Sequence, residues 1–296
     1  MSSYLAQQLL NGLMLGSLYA LVAIGFSLVY SILRLINFAH GDLLMVGAFS
    51  ALGVAYLGGP WWLLLLVVLA TGALSGIVIE RVAIRPLRGM PQVTGFIATL
   101  AVSVAIENLG LILFTGQPRT FPFPEFLRTR IAFGPVQASG VDLLVIGATW
   151  IMLAFLIVIV KATRFGRAMR ALADNLLAAR LVGVEVDRTI MLTFALGSAF
   201  AAFAGMLWGG RFGQVDPLLG FAPGLKAFVA CVIGGVGSLP GAVLGGYVLG
   251  LAEVLFVGML PPLYSGYRDA FVFGTLVLVL LLLPNGLLGR AEEERA

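Results

Sequence analysis

Long apolar runs separated by short polar segments make up most of this chain. The runs at 141–160 and 190–208 are each long enough to cross a hydrocarbon layer of about 30 Å at a rise of about 1.5 Å per residue. Similar runs, at about 5–33, 92–114 and 267–283 among others, bring the total to roughly eight or nine spans. The pattern therefore predicts an all-α fold class, a polytopic membrane helical bundle.

The first predicted span carries small residues at a helical spacing. Gly12, Gly16 and Ala20 recur every four residues along one stripe of the helix. Small residues at this spacing let helices approach each other closely in lipid. We interpret the stripe as tight packing within the bundle rather than as a specific dimer face.

The apolar run from 227 to 255 is interrupted by glycines. They surround Pro240 and comprise Gly234, Gly235, Gly237, Gly241, Gly245, Gly246 and Gly250. The interruption predicts a short helix followed by a full span, an arrangement that lines the route in transport proteins. The alternative is a simple helical hairpin with a glycine turn. We take Gly234, Gly235 and Gly237 as candidates for a translocation route, together with Glu253, the acidic residue of the same run.

A second polar interruption follows the first span, in the segment LRLINFAHGD at 33–42. Asn37 or Asp42 is a suitable cap for the helix that begins after it. Two interpretations stay open: a cytosolic turn, or a helix broken within the membrane whose backbone lines a cavity. Asn37, His40 and Asp42 are further route candidates. Glu107, in the predicted span 92–114, is an ionisable residue for which an interfacial or helix-pairing role competes with a functional one.

The segment 161–188 is the longest stretch that must lie in water. Its basic residues are Lys161, Arg164, Arg167, Arg170, Arg180 and Arg188, which predicts a cytoplasmic loop, because short Lys/Arg-rich loops stay inside. Within it, apolar residues at three- and four-residue steps predict one amphipathic helix with Gly183 at its C-terminal end. The residues of this apolar face are Met169, Leu172, Leu176, Leu177 and Leu181. Such a helix can lie on lipid headgroups, cover its own bundle or bind a soluble partner.

Composition supports the membrane interpretation and excludes several functions. Hydrophobic residues make up 60% of the chain and charged residues 11%, against about 25% charged in soluble domains. We therefore expect one transmembrane domain, 1–296, surrounded by lipid and without a soluble catalytic domain. The net charge of +4 is assigned to the loops, not to a nucleic-acid surface. Cys231 and His40, each the only residue of its type, predict no disulfide, metal or bound cofactor.

The distribution of basic residues predicts the orientation. Twelve of the 18 Lys and Arg residues fall in segments assigned to the inside, Arg290 and Arg295 of the tail among them, and six in segments assigned to the outside. With nine crossings this puts the N-terminus outside. The segment 117–140, rich in proline and phenylalanine, is too broken for a span and is predicted to cap the outer mouth. Neither of the two lysines belongs to a phosphate-binding loop, so if ATP drives transport, another subunit hydrolyses it.

Several stretches together resemble the permease subunits of branched-chain amino acid ABC importers, the LivH type. They are NGLMLGSLYALVAIGFSLVYSILRLINFAHGDLLMVGAF, RVAIRPLRG, TRFGRAMRALADNLLAARLVGVEVDR, FALGSAFAAFAGMLWG and GLKAFVACVIGGVGSLPGAVLGGYVLGLAEVL. In such importers the matching cytoplasmic loop contains the coupling helix, which sits in a cleft of an ATPase subunit. The resemblance implies that role for Arg164, Arg167, Arg170, Asp174, Asn175 and Arg180.

The same resemblance implies a function and a set of partners. The partners are a second related permease chain, two ATPase subunits that bind the ATP, and an extracytoplasmic substrate-binding protein. The chain is then not an enzyme but a permease of a bacterial or archaeal plasma membrane, carrying leucine, isoleucine or valine by alternating access. Alternatives are another solute (urea, amides or other amino acids), an ion-coupled secondary transporter acting alone, and a structural membrane scaffold without transport.

Overall fold

The computed structural model describes residues 2–134 and 136–289. The predicted polar tail with Arg290 and Arg295 lies outside the described residues. Within them, eight helices are long and apolar enough to cross a membrane, and one shorter apolar helix covers Phe221–Gly234. The fold is the predicted all-α membrane bundle.

Helices account for most of the described chain. In order they are α1 (Ser2–Leu33), α2 (Asp42–Tyr56), α3 (Trp61–Ile79), α4 (Gln92–Phe114), α5 (Glu125–Arg128), α6 (Gly140–Ala162), α7 (Arg164–Asp174), α8 (Leu176–Leu181), α9 (Val186–Phe212), α10 (Phe221–Gly234), α11 (Leu239–Met259) and α12 (Arg268–Leu282). Short 3₁₀ turns cover Phe38–His40, Arg85–Leu87 and Pro262–Tyr267, and a π turn covers Glu80–Ile84. Four short strands form two antiparallel pairs: β1 (Arg119–Thr120) with β4 (Gln214–Val215), and β2 (Arg130–Phe133) with β3 (Val136–Ser139).

Helix α1 lies at the centre of the bundle, where it packs against α11, α9 and α10. Its contact with α11 depends on glycine: a Cβ atom added to Gly250 would lie 2.3 Å from the backbone nitrogen of Gly16, and one added to Gly12 would lie 2.7 Å from Leu251. Two backbones in direct contact maximise dispersion attraction, which holds helices together where the surrounding lipid is equally apolar. The predicted packing stripe of the first span is confirmed.

A second close contact joins α2 to α9. A Cβ atom on Gly47 would lie 2.0 Å from the Ala202 carbonyl oxygen, and one on Gly205 would lie 1.9 Å from that of Leu44. By contrast, α4, α6 and α12 bury few of their large apolar side chains: none in α4, Val272 in α12, and Val141, Val145 and Leu156 in α6. Backbone contacts thus determine how closely the central helices pack, whereas the peripheral helices present apolar surface to lipid or to a partner chain.

The described residues of the segment 117–140 form no span, as predicted, and they pack beside the N-terminus of α1. The Gln7 side chain donates to the Gln137 carbonyl at 2.9 Å, and the Asp142 carboxylate pairs with Arg211 at 2.6 Å. Phe121 is buried against Gly209, where a side chain would collide with its ring. The N-terminal end of α1 therefore lies at the same end of the bundle as the segment predicted to be outside.

Candidate functional site

The break between α1 and α2 lies inside the bundle. After Leu33 the chain turns through Arg34, whose φ of 53° is unusual for a residue other than glycine, and then runs back along α1. The His40 ring reaches Phe26 with ring centroids 4.6 Å apart, and it fills the space left by Gly25, eight residues before the end of α1. Helix α2 therefore begins beside the interior of α1, which supports the interpretation of a helix broken at membrane depth.

The three polar candidates of this break are all buried. Asn37 and Asp42 are each 2% exposed, and His40 is 1% exposed. The capping prediction is wrong: neither the N-terminus of the 3₁₀ turn at Asn37 nor that of α2 has a side-chain cap. Within the described residues, both polar atoms of the Asn37 amide and Oδ2 of Asp42 have no hydrogen-bond partner. Buried polar groups without partners are rare because each costs about 1–3 kcal/mol.

Asp42 faces a small pocket between the break, α4 and α10. The lining residues are Phe26, Phe38, Gly41, Asp42, Leu100, Ser103, Phe221, Gly224, Leu225 and Phe228. Gly41 and Gly224 allow α10 to approach the break, because a Cβ atom on Gly224 would lie 2.5 Å from the Cα of Gly41. The pocket therefore brings one carboxyl and one hydroxyl group into an otherwise apolar, largely aromatic wall.

Of the glycine candidates, Gly234 ends α10, and Gly235 and Gly237 lie in the turn between α10 and α11. Gly235 and Gly237 have φ values of 105° and 85°, which other residues rarely adopt. A Cβ atom on Gly234 would lie 1.8 Å from the Gly241 carbonyl oxygen, so α10 and α11 meet at their backbones there. The amide of Leu287 donates to the Ile233 carbonyl at 2.8 Å, so the segment after α12 packs against this turn. The short helix and full span predicted for this run are both present.

Glu253 is fully buried and belongs to a charged cluster that links four helices. Tyr19 of α1 donates to its carboxylate at 2.8 Å, Lys226 of α10 pairs with it at 2.7 Å, and Arg268 of α12 also contacts it. Lys226 in turn pairs with Asp269 at 2.7 Å. From the sequence, Lys226 and Arg268 are assigned to segments on the outer side of the membrane. The structure instead buries Lys226 within the bundle. The one sequence signal for this cluster is the acidic Glu253 within an apolar run, because an acid buried in a span requires a cation nearby.

The charged loop folds as two helices, not as the single one predicted. Asn175 separates them: its side chain accepts from the Ala178 amide at 2.9 Å and begins α8, while Thr163 begins α7 in the same way through the Gly166 amide. Gly183 follows α8 with a φ of 86°, which confirms the predicted C-terminal glycine. The site residues Arg164, Arg167, Arg170, Asp174, Asn175 and Arg180 are all exposed.

The break at Asn175 divides the predicted apolar face in two. Met169 and Leu172 of α7 are buried against the bundle. Leu177 and Leu181 of α8 are 71% and 88% exposed. The prediction of one continuous face is therefore wrong, because the kink turns α8 away. The result is an exposed apolar surface at the tip of the loop, formed by Leu176, Leu177, Leu181 and Val182 and called here the α8 tip.

These features define a class of protein. The chain combines apolar spanning helices, an interior helix break with buried polar residues, and a charged helical loop outside the spans. This combination is typical of a polytopic transport protein, in which broken helices are tolerated where they line a route. The chain belongs to the family described as branched-chain amino acid transport system / permease component, whose model matches residues 8–280.

Curated relatives match nearly the whole chain. It is 37% identical to the high-affinity branched-chain amino acid transport system permease protein LivH of Escherichia coli, over 99% of this chain and 98% of the relative. It is 39% identical to the corresponding protein BraD of Pseudomonas aeruginosa, over 98% and 97%. A more distant relative is the galactose/methyl galactoside import permease protein MglC of Escherichia coli, at 34% over 67% of this chain and 57% of the relative. The chain is thus a multi-pass membrane permease.

Proposed function

We propose that this chain is the membrane-spanning permease subunit of an ATP-driven importer of leucine, isoleucine and valine. The observation that carries this proposal is the similarity to LivH and BraD over nearly the full length of all three chains. The similarity to the sugar permease MglC covers a smaller part of both chains. We further propose that 1–296 forms one permease domain in the plasma (inner) membrane, paired with a second related permease.

ATP hydrolysis takes place, in this proposal, on two separate ATPase subunits that bind the loop 161–188. The same loop exposes the arginines of α7 and the apolar α8 tip, so a partner surface with an apolar cleft and acidic residues nearby is complementary to it. The side chains assigned to this contact are Arg164, Arg167, Arg170, Asp174, Asn175 and Arg180. Because Met169 and Leu172 anchor α7 on the bundle, movement of the ATPase would be transmitted to the spans as a rigid displacement.

The translocation route is assigned to the interrupted helices. Asn37, His40 and Asp42 form one part, and Gly234, Gly235, Gly237 and Glu253 are the candidates of the second part. In alternating access, the two permease chains rearrange around this route while an extracytoplasmic binding protein delivers substrate at the end that holds 117–140. The polar groups at the first break that have no hydrogen-bond partner among residues 2–134 and 136–289 are available to a substrate.

Reconstitution tests the function directly. The complete complex is placed in vesicles, with the binding protein added on the outer side. It is expected to accumulate radiolabelled leucine only when ATP is supplied, and to continue doing so when ionophores collapse the ion gradients. Uptake that continues without ATP and stops with the ionophores would assign an ion-coupled mechanism instead. Uptake of galactose but not leucine would assign the sugar branch of the family.

A further inference from the structure

The pocket beside Asp42 is small and only partly enclosed. Its volume of about 30 Å³ suits one or two water-sized groups and excludes a whole leucine side chain. Leu100 and Phe221 stand at its open side, since both are exposed on the surface of this chain. The pocket therefore accepts the polar end of a larger molecule whose apolar part stays outside it.

Asp42 has no counter-charge among the residues that the structure describes. Its side chain is buried, its Oδ2 atom has no hydrogen-bond partner among the described residues, and none of the ion pairs formed in the described part of the chain includes it. Ser103 forms a side-chain hydrogen bond with Asp42, but a buried carboxylate without a counter-charge is still costly, so residues of this kind at membrane depth mark sites for ligands. At the first residue of α2, the helix dipole helps to hold negative charge there.

A second carboxyl group strengthens the negative potential. Glu107 lies one turn after Ser103 on α4 and is close enough to interact electrostatically with Asp42. Like Asp42, it takes part in none of the ion pairs in the part of the chain that the structure describes. Two carboxylates that form no ion pair with a described basic residue attract a cation.

Aromatic rings complete the wall. Phe228 lies between Phe26 and Phe38, with its ring centroid 5.9 Å from each of theirs. The negative face of such a ring attracts ammonium groups, and cages of several rings recognise them in other proteins. A carboxylate combined with aromatic rings favours an ammonium group over a hydroxyl or an uncharged amide, because the neutral groups can donate a hydrogen bond to the carboxylate but gain neither the ion pair nor the cation–π attraction.

We propose that this pocket binds a primary ammonium group, that of the transported amino acid, with Asp42 as counter-ion and Phe26, Phe38 and Phe228 as the cation–π wall. The proposal rests on the proposed function, since it assigns the substrate's charged end to a place on the route. The Ser103 hydroxyl donates a hydrogen bond to Asp42, and its oxygen accepts one from the ammonium group. The aliphatic side chain of the amino acid lies against Leu100 and Phe221 at the open side.

A thiol placed in the pocket tests the proposal without using transport as the readout. In the assembled complex, the Ser103→Cys variant is treated with small methanethiosulfonate reagents that differ in charge: ammonium-bearing, neutral and sulfonate-bearing. The wild-type complex gives the background, because Cys231 of this chain is buried. The ammonium reagent is expected to react about tenfold faster than the neutral one, and the added Asp42→Asn change is expected to abolish this preference.

Protection by ligands identifies the recognised group. L-leucine and isoamylamine are expected to slow the reaction of the introduced thiol, whereas 4-methylpentanoic acid, which has the same skeleton without the amine, leaves it unchanged. The Phe228→Leu variant keeps the pocket apolar and is expected to lower the preference for the cationic reagent. Size-exclusion elution as an intact complex is required of every variant.

Three results overturn the proposal. One is equal reaction of the three reagents; another is a cation preference that survives Asp42→Asn. The third is protection by sodium or ammonium chloride equal to that by leucine at the same concentration, which would indicate an inorganic cation site. Leucine uptake by the wild-type complex is measured separately, so that absent uptake with intact protection by isoamylamine contradicts the proposed function and leaves the ammonium pocket standing.

Discussion

Lys226 of α10 and Glu253 of α11 form an ion pair of 2.7 Å inside the bundle. Tyr19 and Arg268 contact the same carboxylate from α1 and α12, so a single acidic group joins four helices. Burying charges is costly, but removing one partner costs more, because the other charge then stays buried without compensation. The cluster thus fixes how the glycine-interrupted helices sit against the central helix.

Replacing Glu253 should therefore destabilise the protein. The Glu253→Gln variant keeps a hydrogen-bond acceptor for Tyr19 but removes the negative charge that Lys226 and Arg268 share, so that, among the described residues, Lys226 keeps only the exposed Asp269 as its partner. We expect a loss of about 3 kcal/mol in the free energy of unfolding. Thermal unfolding in detergent, followed by tryptophan fluorescence, measures the change. Glu125→Gln, at an exposed acid of α5, is the matched control and should unfold like the wild type. Equal melting temperatures for the two variants would contradict a stabilising role.

The backbone contact between α1 and α11 makes a second prediction. In the Gly250→Ala variant the new methyl group would lie 2.3 Å from the Gly16 nitrogen, so the helices must separate, at a cost of about 1–3 kcal/mol. Gly147→Ala, on α6, adds the same methyl group where nothing lies within 4 Å. We expect a lower melting temperature and a lower yield of monodisperse protein for the first variant only. A Gly250→Ala protein as stable as Gly147→Ala would show that the contact tolerates separation.

The α8 tip should decide binding of the ATPase subunits. We expect Leu181→Ser to reduce the amount of ATPase that co-purifies with the permease by about tenfold, because exposed leucines that enter a cleft on a partner contribute about 1–2 kcal/mol each. Leu57→Ser is a close control, since both leucines are 88% exposed in this chain and Leu57 lies in the loop between α2 and α3. Retention of the ATPase by Leu181→Ser at the wild-type level would remove the α8 tip from the interface.

Charge reversal separates the arginines of α7 from the α8 tip. The double change Arg167→Glu and Arg170→Glu is expected to weaken retention of the ATPase more strongly at low salt than at high salt, because exposed charges are screened over about 8 Å at physiological ionic strength. Leu181→Ser should show no such dependence on salt. Pull-down of the ATPase at two salt concentrations measures both, and an identical salt response of the two variants would contradict this division.

The cap of α8 gives the last prediction. Asn175 holds the first turn of α8 through the Ala178 amide, so Asn175→Ala should weaken this short helix by about 0.5–2 kcal/mol. We expect less ATPase activity stimulated by the binding protein, with the melting temperature of the bundle unchanged. Asn175→Asp keeps a capping oxygen and should restore the activity. If alanine and aspartate behave alike, the cap has no part in coupling.

The sequence by itself determined the membrane bundle, the limits of most spans, the interruptions near Asn37 and Gly235, and the exposed charged loop. These follow from local properties: the length of apolar runs, the dihedral freedom of glycine and the hydration of charged side chains, none of which depends on distant residues. The glycine stripe of α1 was also readable, because its spacing is that of a single helix.

Only the tertiary structure decided which side chains meet. The polarity of the local sequence predicted Lys226 and Arg268 to lie in outer loops. In the structure both pair with Glu253, because contacts between helices decide where these side chains lie. The kink at Asn175 turned part of a predicted helix face outward, because packing of α7 on the bundle and capping of α8 outweigh a continuous helix. The environment of Asp42 likewise depends on three separate helices, and long-range contacts of this kind leave no periodic signal in the sequence.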